Sequence, residues 1–118
     1  MQFEFTNELP IYEQIAECII NEVAVGKYQD GRILSVRDYS LEFGVNPNTV
    51  QRAMVYLEQL GIVYSKRGEG RFVGDRQKAV ELNEQTARQK CKKFLQDMKK
   101  LGFCDDDVLK ILKEVNCG

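Results

Sequence analysis

The sequence contains no histidine, and its cysteines show no Cys-x-x-Cys spacing. The four cysteines lie far apart along the chain, at Cys18, Cys91, Cys104 and Cys117. Because zinc sites need closely spaced cysteine or histidine ligands, this arrangement argues against a metal site. We expect reduced thiols without a ligand role, as is usual for proteins of the cytoplasm. A redox switch, or a disulfide between two copies of the chain, is the alternative.

The groups that enzymes use for acid–base or nucleophilic chemistry are also missing. Besides histidine, the sequence lacks a glycine-rich loop for phosphate binding and a nucleophile placed beside a base. We therefore expect no catalytic site, no enzyme activity and no cofactor.

Long apolar runs are absent, and the N-terminus opens with the polar residues Gln2 and Glu4. A membrane-spanning helix needs about 20 apolar residues, and a signal peptide needs an apolar stretch near its start. The sequence therefore predicts a cytoplasmic protein with no part in the membrane.

Positive charge is not in excess, since 17 basic residues stand against 18 acidic residues and the net charge is −1. Such a balance is unfavourable for non-specific binding to polyanions, because that affinity comes from lysine and arginine. The charge is distributed unevenly, however. Residues 1–30 contain one lysine and six acidic residues, whereas residues 31–76 and 77–118 each carry a net charge of +2. A nucleic-acid contact is therefore expected after residue 30.

The stretch from Gly44 to Arg52 predicts a tight turn followed by a polar helix. Gly44 can adopt the left-handed backbone of a sharp turn, Asn46 is a favourable N-cap, and Pro47 suits the first helical position. Apolar residues on both sides of the turn would pack together, as a helix-turn-helix requires. The opposite face carries amide, hydroxyl and guanidinium groups that can pair with bases and phosphates in the major groove of DNA. These groups belong to Asn48, Thr49, Gln51 and Arg52.

Two further helices are predicted before this turn. The first should include Pro10 in its first turn, end at Gly26 and bury an apolar stripe. Its Tyr12 is expected to have a structural role, with a phosphate contact as the alternative. The second should begin at Ser35, and Arg37 in its first turn would be explained by a DNA phosphate or an acidic neighbour. The apolar stripe consists of Ile11, Ile15, Ile19 and Val23.

A β-hairpin is predicted after the polar helix, which should end at Gly61. Residues 62–65 and 71–73 have the composition of strands, and residues 66–70 have that of a glycine-containing turn. Since glycine has no side chain, such a turn can approach DNA closely. A solvated hairpin without a DNA contact is the alternative. The residues predicted to contact DNA here are Lys66, Arg67, Gly68, Gly70 and Arg71.

Together these motifs resemble the winged-helix head of the GntR family of bacterial transcription regulators. The similarity covers Leu9 to Val73, and the motifs occur in family order: P-I-Y-E-Q-I, S-V-R-D, G-V-N-P-N-T-V, L-x-x-L-G-I-V and G-x-G-x-F-V. The resemblance implies that Ser35 and Arg37 hold the DNA backbone or a base, and that the wing enters the minor groove. It also implies operator contacts by Asn46, Asn48, Thr49 and Gln51.

Some positions depart from the common family pattern. Many members have proline where Leu34 stands, Ser-Arg where Asn46 and Pro47 stand, and arginine where Gln51 stands. The run N-P-N-T-V-Q is similar instead to the YtrA-like branch of the family.

Most GntR regulators carry a large ligand-binding domain after the head, and the segment from Asp75 to Gly118 is too short for one. That segment resembles the short helical dimerisation tail of the YtrA-like branch.

Two helices are predicted in this tail. Apolar residues at heptad spacing predict a helix from Gln77 to Leu101, which Gly102 ends, and a second stripe predicts a helix that begins at Cys104 or Asp105. Because two small helices cannot bury both stripes alone, we expect them to pair with a second chain. A tail folded back on its own head is the alternative. The residues predicted at the dimer contact are Val80, Ala87, Cys91, Phe94, Met98, Leu101, Val108, Ile111, Leu112 and Val115.

The predicted fold is therefore mainly α with a small β-hairpin wing. A winged helix-turn-helix domain should cover residues 9–74, and a two-helix dimerisation tail should cover residues 77–117. The expected function is sequence-specific binding of double-stranded operator DNA by a homodimer, with repression favoured over activation. No motif indicates a small-molecule effector. A winged-helix protein-interaction module without DNA binding is the alternative, and the net charge is its only support.

Overall fold

The computed structural model describes residues 4–116 and confirms a mainly α-helical fold with one β-hairpin. Its compact units are Met1–Asn83 and Glu84–Gly118, and the division falls within α4. Cys117, the last residue of the predicted tail, lies outside the described residues. The elements of the described part are α1 (Ile11–Ala24), α2 (Val36–Phe43), α3 (Pro47–Gln59), β1 (Val63–Lys66), β2 (Gly70–Val73), α4 (Arg76–Lys100) and α5 (Asp105–Asn116).

Helix α1 begins one residue later than predicted, with Pro10 as its N-cap. Three members of its predicted stripe are buried, but the prediction for Ile11 is wrong, because that side chain is 44% exposed. Gln14 is buried instead, and its side chain forms hydrogen bonds with the residues before α1. Its side-chain nitrogen donates to the carbonyl oxygens of Thr6 (2.9 Å) and Leu9 (2.7 Å), and its oxygen accepts from the N–H of Thr6 (2.9 Å).

The helix-turn-helix is built by the caps that the sequence predicts. Ser35 Oγ accepts a hydrogen bond from the Asp38 N–H at 3.1 Å and caps α2. Gly44 follows α2 in a left-handed conformation, with φ of +67°. Asn46 then caps α3, and Pro47 occupies the first turn. Because these caps depend only on neighbouring residues, local sequence is sufficient to predict them.

The core of the first unit lies between α1, α2 and α3. Helix α1 packs on α3, and α2 packs on the same helix. Ala79 in α4 is fully buried in this core and Leu82 packs against it, so the core extends past the predicted head. The largest fully buried side chains are Tyr39, Ile15, Ile19, Met54, Leu57, Ile62, Val23 and Val50.

A hydrogen-bonded tyrosine pair joins the loop after α1 to this core. The hydroxyl groups of Tyr28 and Tyr39 are 2.6 Å apart, and the Tyr28 hydroxyl donates to the Glu22 carboxylate. Burial is the main cause that raises the pKa of both phenols. The pair therefore stays protonated, and it satisfies the polar end of the buried Tyr39.

The wing is an antiparallel hairpin in which Val63 pairs with Val73 and Lys66 pairs with Gly70. Lys66 is thus the last residue of β1, and Gly70 is the first residue of β2. The prediction that both lie in the turn is wrong, because the predicted turn is one residue too long at each end. Residues 31–33, predicted as a connection, extend the sheet. The Ile33 N–H donates to the Arg71 carbonyl at 3.1 Å, and Arg32 forms a β-bridge with Phe72.

In the second unit, Gly102 with φ of +94° separates α4 from α5, as predicted. Val108, which we predicted at the dimer contact, is only 2% exposed in the single chain and is already covered. Other apolar side chains of this unit remain open to solvent, including Phe94 (42%), Leu101 (69%), Leu109 (58%), Leu112 (47%) and Val115 (72%).

None of the helices in the described part of the chain is both long and apolar enough to cross a membrane.

The three cysteines within residues 4–116 form no disulfide. Burial, followed by the nearby Glu22 carboxylate, raises the pKa of Cys18 to about 11, which makes this thiol unreactive at neutral pH. Cys91 and Cys104 are exposed, and the Cys104 thiol donates to the Asp107 carboxylate at 3.1 Å. The same part of the chain has no group of three acidic or cysteine side chains arranged to hold a metal ion.

The backbone at Gly74 leaves no room for a side chain. A Cβ atom there would lie 2.9 Å from the carbonyl oxygen of Gly61. We expect Gly74→Ala to lower the free energy of unfolding by about 1–3 kcal/mol, because a backbone atom cannot rotate away from the added methyl group. Urea denaturation of the original and substituted proteins measures the difference. Equal free energies would contradict the close approach of these two segments.

Candidate nucleic-acid interface

The first two turns of α3 present a polar face to solvent. Asn48, Gln51 and Arg52 are exposed there, and Thr49 is half-buried. The opposite face of the helix is completely buried, so the helix cannot rotate without exposing apolar surface. The structure therefore brings together the four residues predicted to read bases. The side chains that bury the opposite face are Val50, Ala53, Met54 and Leu57, each 0% exposed.

Asn46 and Pro47 mainly serve the start of α3. Oδ1 of Asn46 accepts a hydrogen bond from the Asn48 N–H at 2.8 Å. Pro47 occupies a position where an N–H would have no helical partner. One lone pair of the Asn46 oxygen is thus used within the protein, whereas its amide nitrogen keeps both N–H donors.

Arg52 is directed toward the beginning of α1. Its guanidinium carbon lies 4.1 Å from the centre of the Tyr12 ring. The Tyr12 ring in turn meets Tyr56 edge-on, with a centroid distance of 6.0 Å and an interplanar angle of 90°. Such a cation–π contact contributes about 0.5–1 kcal/mol at an exposed site. Tyr12 thus supports Arg52 structurally and holds its guanidinium beside the polar face.

The Glu58 carboxylate connects α3 to both strands of the wing. Nε of Arg71 donates to Oε1 of Glu58 at 2.9 Å, and the Ser65 hydroxyl donates to the same oxygen. The hydrogen bond from Ser65, together with the contact with Arg71, holds the pKa of Glu58 below its ordinary value. Nη2 of Arg71 also donates to Oε1 of Gln51 at 3.4 Å. Arg71, predicted to contact DNA, is therefore occupied by partners within the protein.

The tip of the wing is open and basic. Arg67 and Gly68 are exposed, and a Cβ at Gly68 would meet no atom within 4 Å. Lys66 is placed differently, because its ammonium lies 4.8 Å from the centre of the Phe72 ring. The turn therefore offers Arg67 and its glycine backbone to an approaching surface, as predicted for a wing.

Arg32 is a basic residue at this interface that sequence analysis does not identify. Its backbone is held by the bridge to Phe72, and its Nη2 would lie 3.6 Å from a Cβ placed on Gly70. A small cleft between α2 and the wing includes Arg32, Ser35 and Gly70 in its lining. No local pattern marks Arg32, since its position depends on pairing with a strand about forty residues later.

Besides Arg52, which contacts the Tyr12 ring, three arginines of the head have no acidic partner within the described residues. Arg32 lies at the base of the wing, Arg37 lies in the first turn of α2, and Arg67 lies at the wing tip. All three are exposed. The charges of Arg37 and Arg67 lie where the sequence predicts contact with DNA, and Arg32 adds a third cation near them, even though the chain as a whole carries a net charge of −1.

The sequence model of the family described as "Bacterial regulatory proteins, gntR family" matches residues 11–73, which is more than half of the chain. The chain belongs to the GntR family. A curated relative, the uncharacterized HTH-type transcriptional regulator YhcF of Bacillus subtilis, is 35% identical over 100% of this chain and 99% of its own length. The HTH-type transcriptional repressor YtrA of the same bacterium is 28% identical and is matched over 98% of this chain and 92% of its own length.

Solved structures of GntR-type regulators have the same fold. A GntR family transcriptional regulator from Listeria monocytogenes superposes with a TM-score of 0.82 and 35% identity, over 93% of this chain and 98% of its own. The DNA-binding domain of AraR, solved in complex with operator ORE1, gives a TM-score of 0.52 and 30% identity, over 63% of this chain and 94% of its own. This GntR protein is a DNA-binding transcription regulator with a winged helix-turn-helix head, and the likeness to YtrA confirms the predicted branch.

The pairing of Glu58 with the wing predicts a dependence of stability on pH. Because the folded protein lowers the pKa of Glu58, the stabilisation is complete above the ordinary pKa of a glutamate and is lost as the pH falls through the lowered value. Glu58→Gln should therefore unfold more easily at pH 7, by under about 1 kcal/mol for a pair near the surface. This difference should disappear in acid. Urea denaturation between pH 7 and pH 3 measures it.

Glu69→Gln is the matched control, because Glu69 lies in the turn of the same hairpin and forms no ion pair within the described residues. Its unfolding free energy should follow that of the original protein at every pH. A Glu58→Gln difference that persisted at low pH would show that the charge of the carboxylate is not the cause.

Proposed function

We propose that this GntR regulator is a homodimeric repressor that occupies a palindromic operator. The observation that carries the proposal is the exposed polar face of α3, set by complete burial of the opposite face and flanked by a basic wing. The operator complex of AraR and the repressor YtrA support the same reading. A regulator that reads chromosomal DNA in a bacterium would act in the cytoplasm.

The side chains of the interface divide into two proposed roles. Base reading falls to Asn48, Thr49, Gln51 and Arg52, and each good pairing contributes about 1–3 kcal/mol of discrimination. Affinity and orientation come from cations that contact phosphates and carry no sequence information. The hydroxyl of Ser35 and the backbone of Gly68 would lie close to the DNA. The cations are Arg32, Arg37, Lys66 and Arg67.

The two roles predict different effects of substitution. Arg37→Ala should weaken binding to all DNA sequences alike and reduce the salt dependence by about one phosphate contact. Gln51→Ala should instead flatten the base preference at one or two operator positions. Selection of bound sequences from a random DNA pool, followed by titrations at several salt concentrations, measures both effects. An unchanged base preference in Gln51→Ala would mean that this face does not lie in the major groove.

The second unit is proposed to hold two copies together. Several apolar side chains of the second unit remain exposed in the single chain, notably Phe94, Leu101 and Leu112. An exposed apolar surface of this kind marks an interaction site, and a second copy would cover it with the same residues. Two-fold symmetry would then place two heads on the two halves of a palindrome.

Substitution within this apolar surface should separate the copies. Phe94→Glu combined with Leu101→Glu places carboxylates on the proposed contact, where burial of a charge is costly. We expect the mass in solution, measured by light scattering, to fall from that of two chains to that of one. Gln96→Glu adds a negative charge to an exposed position of the same helix and should leave the mass unchanged. A dimer that persisted in the double variant would place the contact elsewhere.

A further inference from the structure

We infer that Arg71 determines which edge of its amide Gln51 presents to DNA, and thereby selects the base that Gln51 reads. The inference rests on the proposed function, because it assigns a preference to a residue proposed to face the major groove. It also gives Arg71 a positioning role in place of the DNA contact expected from its position in the wing.

The contact between the two side chains fixes the orientation of the amide. Nη2 of Arg71 lies 3.4 Å from Oε1 of Gln51. An arginine side chain has five N–H donors and no acceptor, so only the oxygen of an amide can face it favourably. The Gln51 nitrogen, with its two N–H groups, is therefore directed away from Arg71.

The guanidinium is the fixed member of this contact. Nε of Arg71 is paired with Glu58 at 2.9 Å, and the Arg71 side chain is only 20% exposed. Glu58 is held in turn by the hydroxyl of Ser65, which stands opposite Arg71 in the hairpin. The Gln51 side chain is exposed and makes no other hydrogen bond within the described residues. The glutamine therefore adapts to the arginine.

This orientation changes the base edge that Gln51 matches. A free glutamine suits adenine, because its oxygen accepts from N6 while its nitrogen donates to N7. With its oxygen turned toward Arg71 and one of its lone pairs engaged there, Gln51 presents chiefly its two N–H donors to the DNA. Guanine presents two acceptors, N7 and O6, on the same edge. At the operator position that Gln51 reads, guanine should therefore be favoured over adenine.

The test is selection of bound sequences from a random DNA pool at near-physiological salt. The position read by Gln51 is the one whose preference is lost in Gln51→Ala. The original protein should favour guanine over adenine there by about fivefold or more. Arg71→Met keeps a long side chain but removes every donor, so the guanine-to-adenine ratio should fall by about fivefold or more, toward adenine.

Arg67→Met is the matched control for charge. It removes the same charge from the same hairpin, and Arg67 has no contact with Gln51 in the described structure. Binding should weaken for all sequences while the guanine-to-adenine ratio stays the same. A second control combines Gln51→Ala with Arg71→Met. If Arg71 acts only through Gln51, the combination should change that position no further than Gln51→Ala alone.

Gln51→Glu keeps the inference testable if Arg71→Met fails to fold. A carboxylate retains oxygens for Arg71 but offers no donor to DNA, so guanine preference should be lost while urea denaturation shows a folded protein. Adenine preference in the original protein, or equal ratios in Arg71→Met and Arg67→Met, would overturn the inference and leave DNA binding intact. No enriched sequence with the original protein would overturn the proposed function and this inference with it.

Discussion

Complete burial of one face of α3 is the constraint on which the head depends. Val50, Ala53, Met54 and Leu57 have no exposed surface, and both α1 and α2 pack on this helix. The rotation of α3 about its axis is therefore set by the hydrophobic effect, since turning the helix would expose these apolar side chains to water. The same burial that stabilises the fold thus decides which side chains stand outward and are available for recognition.

The Glu58 carboxylate extends this constraint from the helix to the wing. It accepts hydrogen bonds from the Ser65 hydroxyl in one strand and from the Arg71 guanidinium in the other. Arg71 also donates a hydrogen bond to Gln51. The same arginine therefore contacts both the carboxylate that holds the wing and an amide that is proposed to read a base. Arg32, Arg37 and Arg67 remain exposed and without an acidic partner in the described part of the head, in a chain whose net charge is −1. Local arrangement, rather than the net charge, makes this surface suitable for DNA.

Features that depend on neighbouring residues follow from the sequence with little error. The cap at Ser35, the left-handed Gly44 and the cap at Asn46 lie where the sequence predicts them. Features that depend on contacts between residues far apart in the chain do not follow from the sequence in this way. Arg32 joins the wing through its bridge to Phe72, and Gln14 is buried and bonded to Thr6 and Leu9 in the segment before α1. No local pattern contains either contact.

By itself, the sequence determined the order of the elements, the helix caps and the set of polar residues on α3, because caps and amphipathic periodicity act over a few residues. Only the tertiary structure decided how these polar residues are used. It stacks Arg52 on Tyr12 and directs Arg71 to Glu58 and Gln51. A side chain's remaining donors and acceptors depend on the partners that folding places beside it, and those partners come from elements far apart in the chain.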